Sequence, residues 1–225
     1  MPPLTILFQD DFLVAIDKPP GMMVHPAGDS MEVEPSAMKV LRDQLGQRVF
    51  PVHRLDRPTS GVLLFALGKK SAAIAQQAFE CREVAKTYLA VVCGNAPERW
   101  TCETPLATNP VDIPLPARTS FERLAIRENA DSGLVLSLLK AMPTTGRFHQ
   151  IRRHLLEAGY PIVGDFRYAG MEASFQLGEI LGIGTRMLLH AKTLEFNHLH
   201  GGGPLKIESP VDYDFARLFP LIHMD

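Results

Sequence analysis

The stretch His53-Arg54-Leu55-Asp56-Arg57-Pro58-Thr59-Ser60-Gly61 decides how the rest of the chain is interpreted. It places the carboxylate of Asp56 between two arginines, shortly before the apolar run at residues 62–67. A nearby opposite charge keeps a carboxylate ionised at neutral pH, and an ionised carboxylate can act as a nucleophile or as an electrostatic stabiliser. Pro58 and Gly61 predict a turn, so we expect Asp56 at the edge of a strand. The plainer interpretation is an arginine–aspartate pair on a surface loop.

Length and composition describe an ordinary globular protein. At 225 residues the chain can form one large core or two fused lobes, and its apolar fraction of 46% and charged fraction of 21% are typical. The three cysteines lack disulfide or metal-ligand spacing, no secretory signal is apparent, and no apolar run reaches the ~20 residues of a membrane span. We therefore expect a cytoplasmic protein without membrane association.

The net charge of the chain gives no support to nucleic-acid binding. The formal charge is −2 at pH 7, whereas domains that bind nucleic acids are usually basic. An anionic partner would therefore have to bind a local basic patch. The candidates are Arg54 with Arg57, Lys69 with Lys70, and Arg147 with Arg152 and Arg153.

Short strands and amphipathic helices are intermixed along the chain. The residue pattern predicts strands at 5–8, 13–16, 87–93, 134–139 and 187–196, and helices after Ser36, after Ser71, from about Arg147 and after Asp212. Because strands and helices do not alternate regularly, we predict an α+β fold with a mixed, largely antiparallel sheet and flanking helices. The prolines at residues 105–118 mark the predicted boundary between two lobes.

The predicted helix at residues 147–158 carries an arginine on its apolar face. At roughly 100° per residue, Arg152 projects into the apolar arc. That arc comprises Phe148, Ile151, Leu155, Leu156 and Ala158, and the opposite, solvated side comprises Gln150, Arg153 and Glu157. A buried guanidinium is costly unless a carboxylate or carbonyls satisfy it. The partner of the Arg152 guanidinium is Asp56 or a structural carboxylate such as Asp165, unless the Arg152 side chain reaches solvent at the helix edge.

Other catalytic classes have weaker support in the sequence. His149 and His154 are five residues apart and do not share a helix face as a zinc pair would, so no metal site is predicted. The G-x-S-x-G elbow of a serine hydrolase is absent from the sequence. A glycosidase built on a carboxylate pair such as Asp56 and Asp165 stays open, because the distance between two carboxylates cannot be obtained from sequence.

Several runs, in the same order and spacing, resemble the RluA-type pseudouridine synthases. They are His53–Asp56 with Thr59–Gly61, Lys86–Tyr88, Thr145–Arg152, Pro161–Asp165 and Arg186–Ala191, together with the opening residues 6–21. The resemblance implies one catalytic domain over residues 1–225, with a central active-site cleft and no S4-like module. It implies isomerisation of a specific uridine in RNA to pseudouridine, with tRNA favoured over rRNA and with no cofactor or metal. A non-catalytic RNA-binding protein of the same fold stays open as the alternative.

The resemblance also implies roles for individual residues. Asp56 would be the catalytic carboxylate, Arg152 would keep it ionised and aimed, and Tyr88 would stack on the target base. A uridine must leave its stack to reach the carboxylate, and Arg54 would fill the vacated gap and hold phosphate. The other implied substrate contacts are Thr59, His149, Gln150 and the pair Leu188 and Leu189, of which one would pack against the base.

Overall fold

A computed structural model of the protein describes residues 2–25, 36–109, 111–129 and 133–220. The strands are β1 (Thr5–Gln9), β2 (Leu13–Lys18), β3 (Phe50–Pro51), β4 (Ser60–Ala66), β5 (Ala85–Cys93), β6 (Arg99–Cys102), β7 (Thr119–Asn129), β8 (Leu134–Pro143), β9 (Leu189–Asn197) and β10 (Pro204–Glu208). The helices are α1 (Ala37–Leu45), α2 (Lys69–Glu80), α3 (Gln150–Glu157), α4 (Met171–Leu181) and α5 (Tyr213–Leu218). The predicted α+β class with a largely antiparallel sheet is confirmed.

The first of two compact units comprises residues 1–85 and 191–210. In this unit β2 pairs antiparallel with β1 and with β4, and β10 pairs antiparallel with β9. Every residue of β4 is buried, and the apolar run that begins at Val62 predicts such burial for most of the strand. Helix α2 contributes Ala72, Ala75 and Ala78 to the same core cluster as Leu64 of β4, so small side chains let the helix approach the sheet closely.

The second unit comprises residues 86–190 and 211–225. Here β8 lies between β5 and β7, and β6 pairs with β7; all three pairings are antiparallel. Because side chains alternate across a strand, β5 supplies two different cores. The Leu189 cluster includes Ala90, Val92, Phe121, Ile151, Leu155 and Leu189, and the Leu188 cluster includes Leu89, Val91, Leu181, Leu188, Phe215 and Leu218.

The helix termini confirm some capping signals and correct one. Ser36 caps α1, with its hydroxyl accepting a hydrogen bond from a backbone N–H of the first turn, and Gly46 ends α1 in the left-handed conformation. Asp212 caps α5 in the same way as Ser36 caps α1. The prediction that Ser71 precedes a helix is wrong, because α2 starts directly after Gly68 and Ser71 is buried within it.

The proline-rich loop at residues 105–118, where we predicted a lobe boundary, lies inside the second unit. Leu106 and Leu115 exchange backbone hydrogen bonds at 2.9 and 3.0 Å and so close the loop on itself. The loop joins β6 to β7, which are paired neighbours in one sheet. Within the described residues, no helix has both the length and the apolar character needed to cross a membrane.

Candidate active site

The loop between β3 and β4 holds Asp56 in a turn over residues 56–59. The backbone N–H of Thr59 donates to the backbone carbonyl of Asp56 at 3.0 Å. Gly61 then enters β4 with φ of 103°, in the region that favours glycine, and a Cβ at this position would collide with the backbone carbonyl of Ala191. The close approach of β9 therefore requires a glycine at position 61.

A buried lysine that is absent from the predicted site residues anchors this loop. The Lys18 ammonium is fully buried and donates to the carbonyls of Pro19 at 2.9 Å, Met22 at 2.8 Å and Arg57 at 3.1 Å. Gly21 and Arg57 add two further hydrogen bonds, each of 2.9 Å. A buried ammonium requires such acceptors, so Lys18 fixes the backbone next to the carboxylate. The signal in the sequence is a lysine at the end of a buried strand, directly before Pro-Pro-Gly.

Two other predicted site residues on this loop differ in exposure. The side chain of Arg54 is exposed, as a residue that contacts RNA must be. His25 lies within its electrostatic reach, and burial together with the positive charge of Arg54 lowers the pKa of His25. Thr59 is buried, and its backbone closes the turn described above. The structure therefore gives Thr59 a part in shaping the loop, and its contact with substrate stays a prediction.

In the second unit, Tyr88 and one of the two candidate leucines share a face. Tyr88 is half-buried on β5, opposite Ala141 of β8, and packs against the Leu189 cluster. Leu188 points into the other cluster, with Phe215. Of the two leucines predicted to contact the base, Leu189 is therefore the one on the face of the sheet that carries Tyr88.

Arg152 is buried on α3, as its place on the apolar face predicts, and it forms an ion pair with Asp165. The Arg152 Nε donates to Asp165 Oδ2 at 2.7 Å, and Nη2 donates to Oδ1 at 2.8 Å. Both side chains are almost fully buried, at 5% and 2% exposure. Because both oxygens of Asp165 bind the guanidinium, this carboxyl is not arranged as the proton donor of a glycosidase pair. Asp56 belongs to the other unit, and its pairing with Arg152 stays a prediction.

An aromatic group covers the guanidinium of Arg152. The Cζ of Arg152 lies 4.9 Å from the centre of the Tyr168 ring, within the range of a cation–π contact. The Tyr168 hydroxyl is 2.9 Å from Nδ1 of His149, whose ring stacks on Phe148 with centroids 3.7 Å apart.

His149 has φ of 54° and ψ of 31°, a left-handed conformation that is uncommon for a residue with a Cβ. The helix that we predicted from Arg147 therefore begins only at Gln150.

Gln150 lies on the buried side of α3 and not on the solvated side that its place in the sequence predicts. Its contact with substrate stays a prediction. Its side chain is buried, with 5% exposure. Its Oε1 accepts from the Thr145 hydroxyl at 2.6 Å and from the Arg147 backbone N–H at 3.0 Å. Its Nε2 donates to the Arg118 carbonyl at 3.0 Å and to the Thr119 hydroxyl at 2.9 Å. All four hydrogen-bonding positions of this amide are thus filled by protein.

Two of the histidines, His53 and His154, are held by hydrogen bonds within the protein. Nε2 of His53 accepts the Leu64 backbone N–H at 3.0 Å, and its ring stacks on Phe79. His154 is fully buried: Nδ1 is 3.0 Å from the Thr119 hydroxyl, and Nε2 is 3.1 Å from the Thr104 carbonyl. Since a carbonyl only accepts, Nε2 carries the proton and Nδ1 accepts from Thr119. Among the described residues, no group of three or more His, Cys, Asp or Glu side chains could hold a metal ion.

His154 makes the stability of the fold depend on pH. Burial lowers the pKa of His154 below its ordinary value of 6.5, against the opposing effects of the Thr104 carbonyl and the Glu157 carboxylate. In the unfolded chain the imidazole takes up a proton near pH 6.5, but in the folded protein it does so only at lower pH. The unfolded state therefore binds more protons in this window, and stability is lost as the pH falls below about 6.5.

We predict that His154→Gln will make the unfolding free energy less sensitive to pH between about pH 7 and 5. Urea unfolding across this range, for the variant and the parent protein, measures the effect. The comparison concerns slopes, so an overall loss of stability from the replaced hydrogen bonds does not obscure it. An identical pH slope in the two proteins would contradict the assignment.

Comparison with known proteins identifies the class to which this arrangement belongs. The family model described as RNA pseudouridylate synthase matches residues 12–157, which include the Asp56 loop, β5 with Tyr88, and α3 with Arg152. The chain therefore belongs to the RNA pseudouridylate synthase family, and its resemblance to the RluA type is confirmed.

Two of the similar proteins carry the same name within this family. The chain is 39% identical to the tRNA pseudouridine synthase C of Haemophilus ducreyi, covering 96% of this chain and 94% of that protein. It is 40% identical to the tRNA pseudouridine synthase C of Haemophilus influenzae, with 96% of each chain covered. Among solved structures, the human RNA pseudouridylate synthase domain containing 1 has a TM-score of 0.76 and 26% identity, covering 94% of this chain and 86% of that one.

Proposed function

We propose that this protein is a pseudouridine synthase that isomerises a specific uridine in tRNA. The observation that carries the proposal is the similarity over almost the full chain to two proteins named tRNA pseudouridine synthase C. The Asp56 loop and the buried Arg152–Asp165 pair support it, because both are built with the fixed geometry that catalysis requires. The cytoplasmic location that the sequence indicates stays a prediction.

The proposed reaction exchanges one bond between ribose and base for another. The glycosidic bond from ribose C1′ to N1 of uracil breaks, the base turns, and C1′ bonds to C5. The proton on C5 passes to solvent and N1 takes up a proton, so no electrons are gained or lost overall. Asp56 acts in this scheme as the carboxylate that attacks the base or the sugar, or that assists formation of a glycal intermediate.

The other site residues have supporting roles in this scheme. Arg152, held by Asp165 and covered by Tyr168, supplies a fixed positive charge for the carboxylate. Tyr88 stacks on one face of the flipped uracil, and Leu189 is the leucine that we assign to the base. Enzymes that flip a base out of the nucleic acid usually recognise it by packing it between aromatic or apolar side chains.

The proposal is tested by release of tritium from uridine labelled at C5. Purified protein is incubated with labelled bulk tRNA and, separately, with labelled rRNA transcripts. We expect release from tRNA and none from rRNA. Release from rRNA alone would keep the chemistry and overturn the substrate, and release from neither RNA would overturn the assignment as an enzyme.

Arg54 is expected to fill the gap that the flipped uridine leaves. Stacking of a base on an aromatic ring contributes about 1–3 kcal/mol, and bases also stack on the planar guanidinium of arginine. On that scale Arg54→Ala should lower kcat/KM for tRNA about tenfold or more. The fold should be unaffected, because the Arg54 side chain is exposed. Tritium release and urea unfolding measure the two properties. Arg48→Ala, which removes the same charge from an exposed position of the same unit, is the matched control, and equal turnover in both variants would discard the role.

A further inference from the structure

Arg167 is an exposed arginine that the scheme above does not use. Its Cζ lies 5.7 Å from the centre of the Phe148 ring and 5.9 Å from the centre of the Tyr168 ring. Both distances are within the range of cation–π contacts. A free arginine on a protein surface samples many rotamers, and binding a ligand then costs side-chain entropy. The two rings restrict the Arg167 guanidinium in advance and so reduce that cost.

The charge of Arg167 has no counter-charge in the part of the chain that the structure describes. No carboxylate in residues 2–25, 36–109, 111–129 or 133–220 lies within ion-pair distance of its guanidinium. Arg152 contacts the same Tyr168 ring at 4.9 Å, but its side chain is buried and donates to both oxygens of Asp165, whereas Arg167 is exposed. The guanidinium of Arg167 is therefore an oriented positive charge on the surface, without a counter-charge among the described residues.

We propose that Arg167 binds a backbone phosphate of the RNA, next to the uridine that is modified. A planar guanidinium can donate two parallel hydrogen bonds to phosphate oxygens, and the Arg167 side chain is exposed to solvent. The contact is close to the chemistry because Tyr168 touches both Arg167 and Arg152. With a net charge of −2, the protein depends on such local charges to hold an anionic substrate. The identity of the ligand as RNA rests on the proposed function.

The test combines the salt dependence of tRNA binding with steady-state kinetics. Each neutralised phosphate contributes about 0.7–0.9 to the slope of log K against log salt concentration. Arg167→Ala should lower the magnitude of that slope by about one, raise KM about fivefold to tenfold and leave kcat within about twofold. Arg167→Lys should keep the slope, because the charge remains, and give an intermediate KM, because the stacked planar group is lost.

Arg99→Ala is the matched control for this experiment. It removes an arginine from the same unit, at an exposed position on β6 where Glu122 neutralises the charge at 2.6 Å. We expect its salt slope and KM to equal those of the parent protein. An Arg167→Ala variant with the slope and KM of Arg99→Ala would overturn the proposal, and so would a fall in kcat at constant KM. Failure of the parent protein to release tritium would instead overturn the proposed function, and the binding slopes would still decide the role of Arg167.

Discussion

Asp56→Asn is expected to abolish pseudouridine formation while leaving the fold intact. The substitution keeps the shape of the side chain but removes its negative charge, and loss of a group that acts directly in the chemistry typically lowers kcat by about 10⁴-fold or more. The fold should tolerate the change, because the backbone carbonyl of Asp56 accepts the bond from Thr59 that closes the turn. Tritium release under single-turnover conditions, with enzyme in excess over tRNA, measures the chemical step.

The control for this variant is Asp43→Asn, which neutralises an exposed aspartate of the same unit that pairs with Arg42 on the surface of α1. It should keep full activity, because a surface ion pair contributes about 0–1 kcal/mol to stability and none to the reaction. Tritium release by Asp56→Asn within about tenfold of the parent rate would remove Asp56 from the chemistry.

The second large effect is expected at Asp165, through stability as well as activity. Asp165→Leu leaves the buried guanidinium of Arg152 without its bidentate counter-charge, and breaking a buried pair in this way costs about 3–5 kcal/mol. That is a large part of the 5–15 kcal/mol that stabilises a typical domain. We expect a correspondingly lower midpoint of urea unfolding and no measurable tritium release.

A double variant separates the structural role of the pair from its role in the reaction. Arg152→Met combined with Asp165→Leu replaces both charges by apolar side chains of similar size, and such replacements are often neutral or stabilising. The double variant should regain most of the unfolding free energy and remain inactive, because the fixed positive charge is absent. Recovery of tritium release together with stability would show that the pair only supports the fold, and failure to regain stability would contradict the assignment of Asp165 as the main partner of Arg152.

The parts of the fold that could be predicted from sequence are those set by local periodicity and capping. The uninterrupted apolar run of β4 predicts a buried strand, and Ser36 with Gly46 marks both ends of α1. The inward position of Arg152 also follows from helical spacing alone. Its counter-ion could not be chosen in advance, because Asp165 reaches the guanidinium only after the chain has turned back beyond the end of α3.

The residue pattern does not predict β3, β6, β7, β10 or α4. In β7 and α4 a structural feature hides the usual signals. In β7, the register shifts between Arg123 and Ala125, so the alternation of buried and exposed side chains is interrupted in the middle of the strand. In α4, the buried face is made partly of small residues, with Gly178 packed against the backbone of Gly184. Its large apolar side chains Met171, Phe175 and Ile180 are exposed. A prediction that places the large apolar residues on the buried face of α4 is therefore wrong for these three.

The charged residues of the candidate site could be predicted from the sequence, but the buried residues that hold its loops in place could not. The deciding stretch contains Asp56 and Arg54, whose charges can be identified in the sequence. Lys18 and Gln150 each form hydrogen bonds to groups that are distant in sequence, the Arg57 carbonyl for Lys18 and the Arg118 carbonyl and Thr119 hydroxyl for Gln150. No pattern of residue types specifies such partners. Polar residues of this kind become recognisable only when burial and hydrogen bonds are known together.

The role of Asp56 in an isomerisation is tested most directly by counting products. C5-labelled tRNA is treated with the parent protein and with Asp56→Asn, and tritium release is compared with the pseudouridine found after digestion to nucleosides. We expect one pseudouridine for each tritium released by the parent protein, in RNA that keeps every base, and neither product from the variant. Tritium release without pseudouridine, or free uracil and abasic sites such as a glycosidase would leave, would contradict the proposed reaction.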